Sequence, residues 1–109
     1  MIHVALFYSD KHTLCGYTLE GHADSAPHGE DIVCAAASTL AIVTENSLDI
    51  QGVHYDAEME EGYFKLFLQE ARDEKEVVIA QAVLKTLEIG LLQLAKNYPK
   101  FIETDHVFV

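Results

Sequence analysis

The chain contains no tryptophan, only two cysteines and two prolines, and just seven lysines and arginines against eighteen acids in 109 residues. Two cysteines cannot build a disulfide framework, and neither Cys15 nor Cys34 belongs to a CxxC pair, so free thiols in a reducing compartment are expected. The shortage of basic residues, with a formal net charge of −11, excludes the basic patch that nucleic-acid phosphates require and favours cationic partners. No apolar run reaches the ~18 residues of a membrane span, and the opening "MIHVALFYSD" lacks the basic leader of a signal peptide. A cytoplasmic protein without membrane contact is expected. With half its residues hydrophobic, the chain has the composition of a globular domain, and its length allows one core, hence a single domain over residues 1–109.

What is present is organised by period. "IHVALFYS" is largely apolar on both faces and predicts a strand buried in the middle of a sheet; "TLCGYTLEGH" predicts a second strand, with Gly16 marking a bulge or a close backbone approach. From Asp31 to about Ile50 the spacing turns helical, with Ile32, Ala35, Ala36, Thr39, Ile42 and Val43 as the expected apolar face. "VHYDAEMEE" alternates and meets "YFKLFLQE" through a tight Glu61-Gly62 turn, predicting a hairpin over 53–70. A long helix begins at Asp73, with Glu76 three residues on, and stops before Pro99; its expected seam is Ile79, Val83, Leu87, Leu91 and Leu94. "FIETDHVFV" closes the chain as a strand. The order β-β-α-β-β-α-β predicts an α+β two-layer sandwich, two main helices on one side of a mainly antiparallel or mixed sheet.

Chemistry concentrates in "GHADSAPHGEDIVCAAAS". Thiolate is the nucleophilic form of cysteine, and Cys34 falls in the first turn of the first helix, where unpaired N–H groups favour an anion. His22, at the end of the second strand, is the natural base and imidazolium partner. Asp31 has two open roles, helix N-cap or orienting group for His22; a capping carboxylate would oppose the thiolate and occupy an N–H wanted for an oxyanion. Ser38, one turn beyond Cys34, either supports the site or bonds back to its own helix. The intervening Pro/Gly segment reads as a lid or as a plain surface connection.

A rival use of these residues is zinc, held by His22, His28 and Cys34 with Asp24 or Asp31; the spacing matches no usual finger or ribbon, and neither metal nor cofactor is expected. Cys15 reads as packed in its strand, and His3, His12, His54 and His106 as surface or strand residues. Glu58, Glu60 and Glu61 read as a solvated edge, or as a surface for a basic chain.

"GHA" at 21–23 followed by "GEDIVCAAAS" at 29–38 resembles the ribosomal-processing cysteine protease (Prp) family. The resemblance implies a cysteine endopeptidase that removes a short N-terminal extension from a bacterial large-subunit ribosomal protein, number twenty-seven, after an aromatic residue. It carries Cys34 as nucleophile and His22 as base, places Asp31 and Ser38 at motif positions of open role, and implies a homodimer. A strongly basic ribosomal protein also suits an acidic enzyme. The alternative is a non-catalytic acidic module that binds basic ribosomal protein segments.

Overall fold

Residues 1–23, 26 and 31–109 are described by a computed structural model. Seven elements follow the expected order: β1 (Ile2–Tyr8), β2 (Leu14–Glu20), α1 (Ile32–Ile50), β3 (Tyr55–Glu60), β4 (Tyr63–Leu68), α2 (Glu74–Asn97) and β5 (Ile102–Phe108). The strands form one mixed sheet in the order β3-β4-β2-β1-β5, antiparallel except for the parallel β1–β5 pair.

Burial along β1 alternates strictly. Ile2, Val4, Leu6 and Tyr8 are buried, whereas His3 is exposed and Ala5 and Phe7 are half-buried. β1 lies in the middle of the sheet as expected, between β2 and β5; its buried residues share one face, and on the other the Phe67 ring lies 5.0 Å from that of Phe7. Gly16 meets both of its expectations. The β1–β2 register jumps from Phe7↔Gly16 to Tyr8↔Leu14, leaving Cys15 as the bulged residue. A Cβ at Gly16 would also lie 2.5 Å from the Phe67 ring and 2.6 Å from Leu66 O.

α1 reaches the sheet through a face one residue away from the one expected, whereas the expected seam of α2 does face the core. α1 buries Val33, Ala37, Ala41, Thr44 and Leu48, while Ile32, Ile42 and Val43 remain exposed. Alanines cause the difference, because an alanine-rich helix looks equally core-like on several sides and its small residues allow the closest approach to a sheet. Tyr17, fully buried beneath it, donates its hydroxyl to Ala41 O at 3.1 Å and stacks on Phe64 with ring centres 5.6 Å apart. α2 buries Ala80, Leu84, Leu87 and Leu91; Ile79, Val83 and Leu94 flank that line and are partly buried.

By length and composition α2 is apolar enough to cross a membrane, which corrects the expectation that no segment reaches a span. Its buried side instead joins the core shared with β1, β2, β4 and α1. Gln81 is tied to the sheet by a reciprocal pair of bonds, accepting from Leu14 N at 2.9 Å and donating to Leu14 O at 2.7 Å. At its start, Asp73 caps the N–H of Glu76 at 2.9 Å. The buried Glu76 carboxylate in turn accepts from His54 N at 2.9 Å and Arg72 Nε at 2.9 Å, joining the entry of the hairpin to the helix.

Candidate active site

β2 ends where its chain must turn sharply. Gly21 has φ +94, and a Cβ on it would lie 2.4 Å from Met1 O, so glycine is demanded by both conformation and space. Its N–H donates to Gly62 O at 2.8 Å, and Met1 N donates to the carbonyl of His22 at 2.6 Å. The next residue, His22, thus leaves the sheet from a backbone held on one side by the start of β1 and on the other by the β3–β4 turn.

Cys34 arrives from the opposite direction, in the first turn of α1. Asp31 is the N-cap, its carboxylate accepting the N–H of Cys34 at 3.0 Å, while its carbonyl accepts the N–H of Ala35 at 3.1 Å. The cap fixes where the helix begins and hence where the sulfur sits. Cys34 Sγ lies 3.8 Å from His22 Nδ1, within hydrogen-bond range for sulfur. A thiol that can ionise, a base beside it and the positive end of a 19-residue helix are therefore assembled at one point.

Of the two roles open for Asp31, its carboxylate occupies the capping one. The cost foreseen for that role is also present, because the Cys34 N–H is engaged and is not free to meet an oxyanion. Any donor drawn from the helix start must be another N–H, or Asp31 must release its own.

The pair lies in a cleft of about 570 Å³. Cys34, Ser38 and Ile42 line one wall on successive turns of α1; the hairpin residues Met59 to Tyr63 line the other. Ile42 and Met59 place large apolar side chains there, and Glu60 and Glu61 add carboxylates. Ser38 makes no bond back to the preceding turn among the described residues, whereas the hydroxyls of Thr44 and Thr86 bond back to Leu40 O and Ala82 O at 2.7 and 2.8 Å.

His3, His12, His54 and His106 lie elsewhere. His3 pairs with Glu103 at 2.5 Å, His54 with Glu76 at 3.0 Å and His106 with Glu88 at 3.4 Å, while the backbone of His12 donates to Asp10 at 2.8 Å. Cys15, expected to be packed in its strand, is only half-buried because the bulge takes it off the regular alternation; burial still pushes its thiol up. Among the described residues no three His, Cys, Asp or Glu side chains converge as a metal site. Asp24 and His28 of the zinc alternative, and most of the segment read as a lid, fall on residues 24, 25 and 27–30, outside the described residues.

The hairpin's share of the site was missed by the sequence reading. Glu61-Gly62 was legible only as a turn, and nothing local indicates that a turn forty residues downstream stands against His22. The one available signal was the acidic run through Glu61, read as a surface for a basic chain.

Comparison with known proteins shows what the whole chain is similar to. The family model described as "Cysteine protease Prp" matches residues 1–103. A ribosomal processing cysteine protease Prp of Staphylococcus aureus is 25% identical over 111 aligned residues, covering 97% of this chain and 99% of its own. The crystal structure of an essential ribosomal processing protease Prp from S. aureus, in complex with a covalently linked product peptide, superposes with a TM-score of 0.87 at 25% identity, covering 97% of this chain and 99% of that one. The SMU.848 protein of Streptococcus mutans superposes with a TM-score of 0.78 at 28% identity, covering 100% of this chain and 96% of that one.

Proposed function

The chain belongs to the cysteine protease Prp family, and from that premise we propose that it is a ribosomal-processing endopeptidase in which Cys34 is the nucleophile and His22 the base. The observation that carries the reading is the 3.8 Å approach of His22 Nδ1 to Cys34 Sγ inside a cleft wide enough for a peptide. The substrate is a large-subunit ribosomal protein, number twenty-seven, carrying a short N-terminal extension that is cut off after an aromatic residue. Support for that choice comes from the S. aureus relatives described as ribosomal processing proteases, from the apolar side chains of Ile42 and Met59 in the cleft, and from a net charge of −11 that suits a basic partner and disfavours RNA.

The chemistry follows from the atoms present. His22 takes the proton of Cys34 as Sγ bonds to the scissile carbonyl carbon, and a backbone N–H group at the helix start receives the negative charge on oxygen. The tetrahedral centre collapses as the C–N bond breaks, and His22 returns the proton to the leaving amine. Water, deprotonated by His22, then attacks the thioester, releasing the new carboxylate and restoring the thiol. Asp31 holds the helix start, and Ser38 offers a hydroxyl on the cleft wall. The enzyme works as one domain in the cytoplasm and as a homodimer, for which the exposed apolar residues Val78 and Ile89 of α2 provide suitable surface.

Mass spectrometry of the ribosomal protein precursor incubated with wild type and with Cys34→Ala tests the proposal. Wild type should release the extension at one bond after an aromatic residue, and Cys34→Ala should leave the precursor whole. Salt-sensitive binding without cleavage by wild type would favour the acidic binding module instead.

A further inference from the structure

We infer that Gly62, at the tip of the β3–β4 hairpin, is the positioning residue for the His22 imidazole, and that the absence of its side chain lets the ring stand where it faces Cys34. The inference rests on the dyad reading above. With Nδ1 turned toward the sulfur at 3.8 Å, the other ring nitrogen faces the hairpin. A Cβ built on Gly62 would lie 2.8 Å from His22 Nε2 and 3.5 Å from both Cδ2 and Cε1. The equal distances put that carbon at the Nε2 tip of the ring.

Contact at 2.8 Å cannot persist, so one side must move, and the movable side is the imidazole, the far end of an exposed side chain. The hairpin is not free: Gly62 O accepts Gly21 N at 2.8 Å, and Gly62 sits at φ +74 in a turn whose strands pair from Tyr55↔Leu68 to Glu60↔Tyr63. A side chain at 62 would therefore displace the ring from the sulfur by crowding its Nε2 tip. The same two glycines that join β2 to the hairpin thus set the ring's height above α1.

A second left-handed glycine provides the control. Gly52 has φ +79, but a Cβ there meets only Arg72 Nη2, at 3.6 Å. Ala substitution at either position forces the same unfavourable backbone region; only the one at 62 reaches the histidine. The test is the rate of Cys34 alkylation by iodoacetamide as a function of pH, together with cleavage of the precursor junction peptide, for wild type, Gly52→Ala, Gly62→Ala, Gly62→Asn and His22→Ala.

Gly62→Ala should lose cleavage on the order of 100-fold, as expected for a dyad displaced by about an ångström, and its alkylation profile should approach that of His22→Ala. Gly52→Ala should keep both at wild-type level despite similar thermal destabilisation. Asparagine tolerates the left-handed region but still carries a Cβ, so Gly62→Asn should fail like Gly62→Ala, and it carries the test if the alanine variant does not fold. Wild-type activity in Gly62→Asn, or an unchanged pH profile in a folded Gly62→Ala, would overturn the inference. If wild type and His22→Ala alkylate alike, the dyad reading itself has failed and the inference falls with it.

Discussion

The carboxylate of Asp31 accepts the backbone N–H of Cys34 at 3.0 Å, so the residue that starts α1 also touches the residue that carries the proposed nucleophile. Asparagine can make the same bond without the charge. Asp31→Asn should hold the melting temperature near wild type and keep peptide cleavage within a few-fold, whereas Asp31→Ala should lose about 1 kcal/mol, the usual worth of an N-cap, and lose activity with the helix start. Thermal melts and junction-peptide turnover on the two variants check this. Collapse of activity in Asp31→Asn with full stability would instead assign the carboxylate to His22.

Two free thiols with different surroundings give an internal comparison. Cys15 is half-buried at the β2 bulge, and that burial raises its thiol above the ordinary value, leaving less thiolate at neutral pH. Cys34 has an imidazole at 3.8 Å and a helix N-terminus behind it. Limited iodoacetamide treatment followed by peptide mapping should therefore label Cys34 well before Cys15, and His22→Ala should narrow the difference. Equal labelling in wild type would count against an activated sulfur.

Glu76 ties the hairpin entry to α2 as a buried carboxylate. Hydrogen bonds from the His54 backbone and from the Arg72 side chain hold it at about 2, below its ordinary 4.5. Because the folded value is depressed, its contribution to stability is fully present above 4.5 and disappears as the pH falls through about 2. Wild type should lose melting temperature across that window more steeply than Glu76→Gln, which should be destabilised already at pH 7. The difference between the two melting curves isolates this carboxylate from the other acids; parallel curves would remove it from the account.

The order of elements was legible because each carries its own local period. The alternation of "VHYDAEMEE", the Asp73–Glu76 cap and the halt before Pro99 need nothing beyond a few neighbouring residues. The orientation of α1 was not legible, since Ala35, Ala36 and Ala37 give no direction and Ile32 or Val43 look like core although they are exposed; that of α2 was, because its leucines and branched residues mark one seam. In the site, His22 and Cys34 stood out because both bracket one segment of sequence. Gly62 did not, because its contact with His22 exists only after β4 pairs with β2. Local patterns reveal elements; contacts made by sheet pairing become visible only in three dimensions.

Met59 is 62% exposed yet lines the cleft, facing a wall that includes Ile42 at 39% exposure. Large apolar side chains left uncovered beside a reactive sulfur are suited to be covered by substrate, and an aromatic side chain lying between them would bury apolar surface at about 25 cal/mol per Å². Truncating one wall residue removes part of that gain, about 1–3 kcal/mol or 10- to 200-fold in specificity. Met59→Ala should therefore lower kcat/KM for a junction peptide with phenylalanine before the cut, and lower it much less for the same peptide with alanine there. Because Met59 belongs to the edge strand β3 and is largely solvated, the substitution should leave the melting temperature nearly unchanged, separating loss of recognition from loss of fold. Steady-state kinetics with the two peptides check the difference, and an equal loss on both would move the aromatic subsite away from this wall.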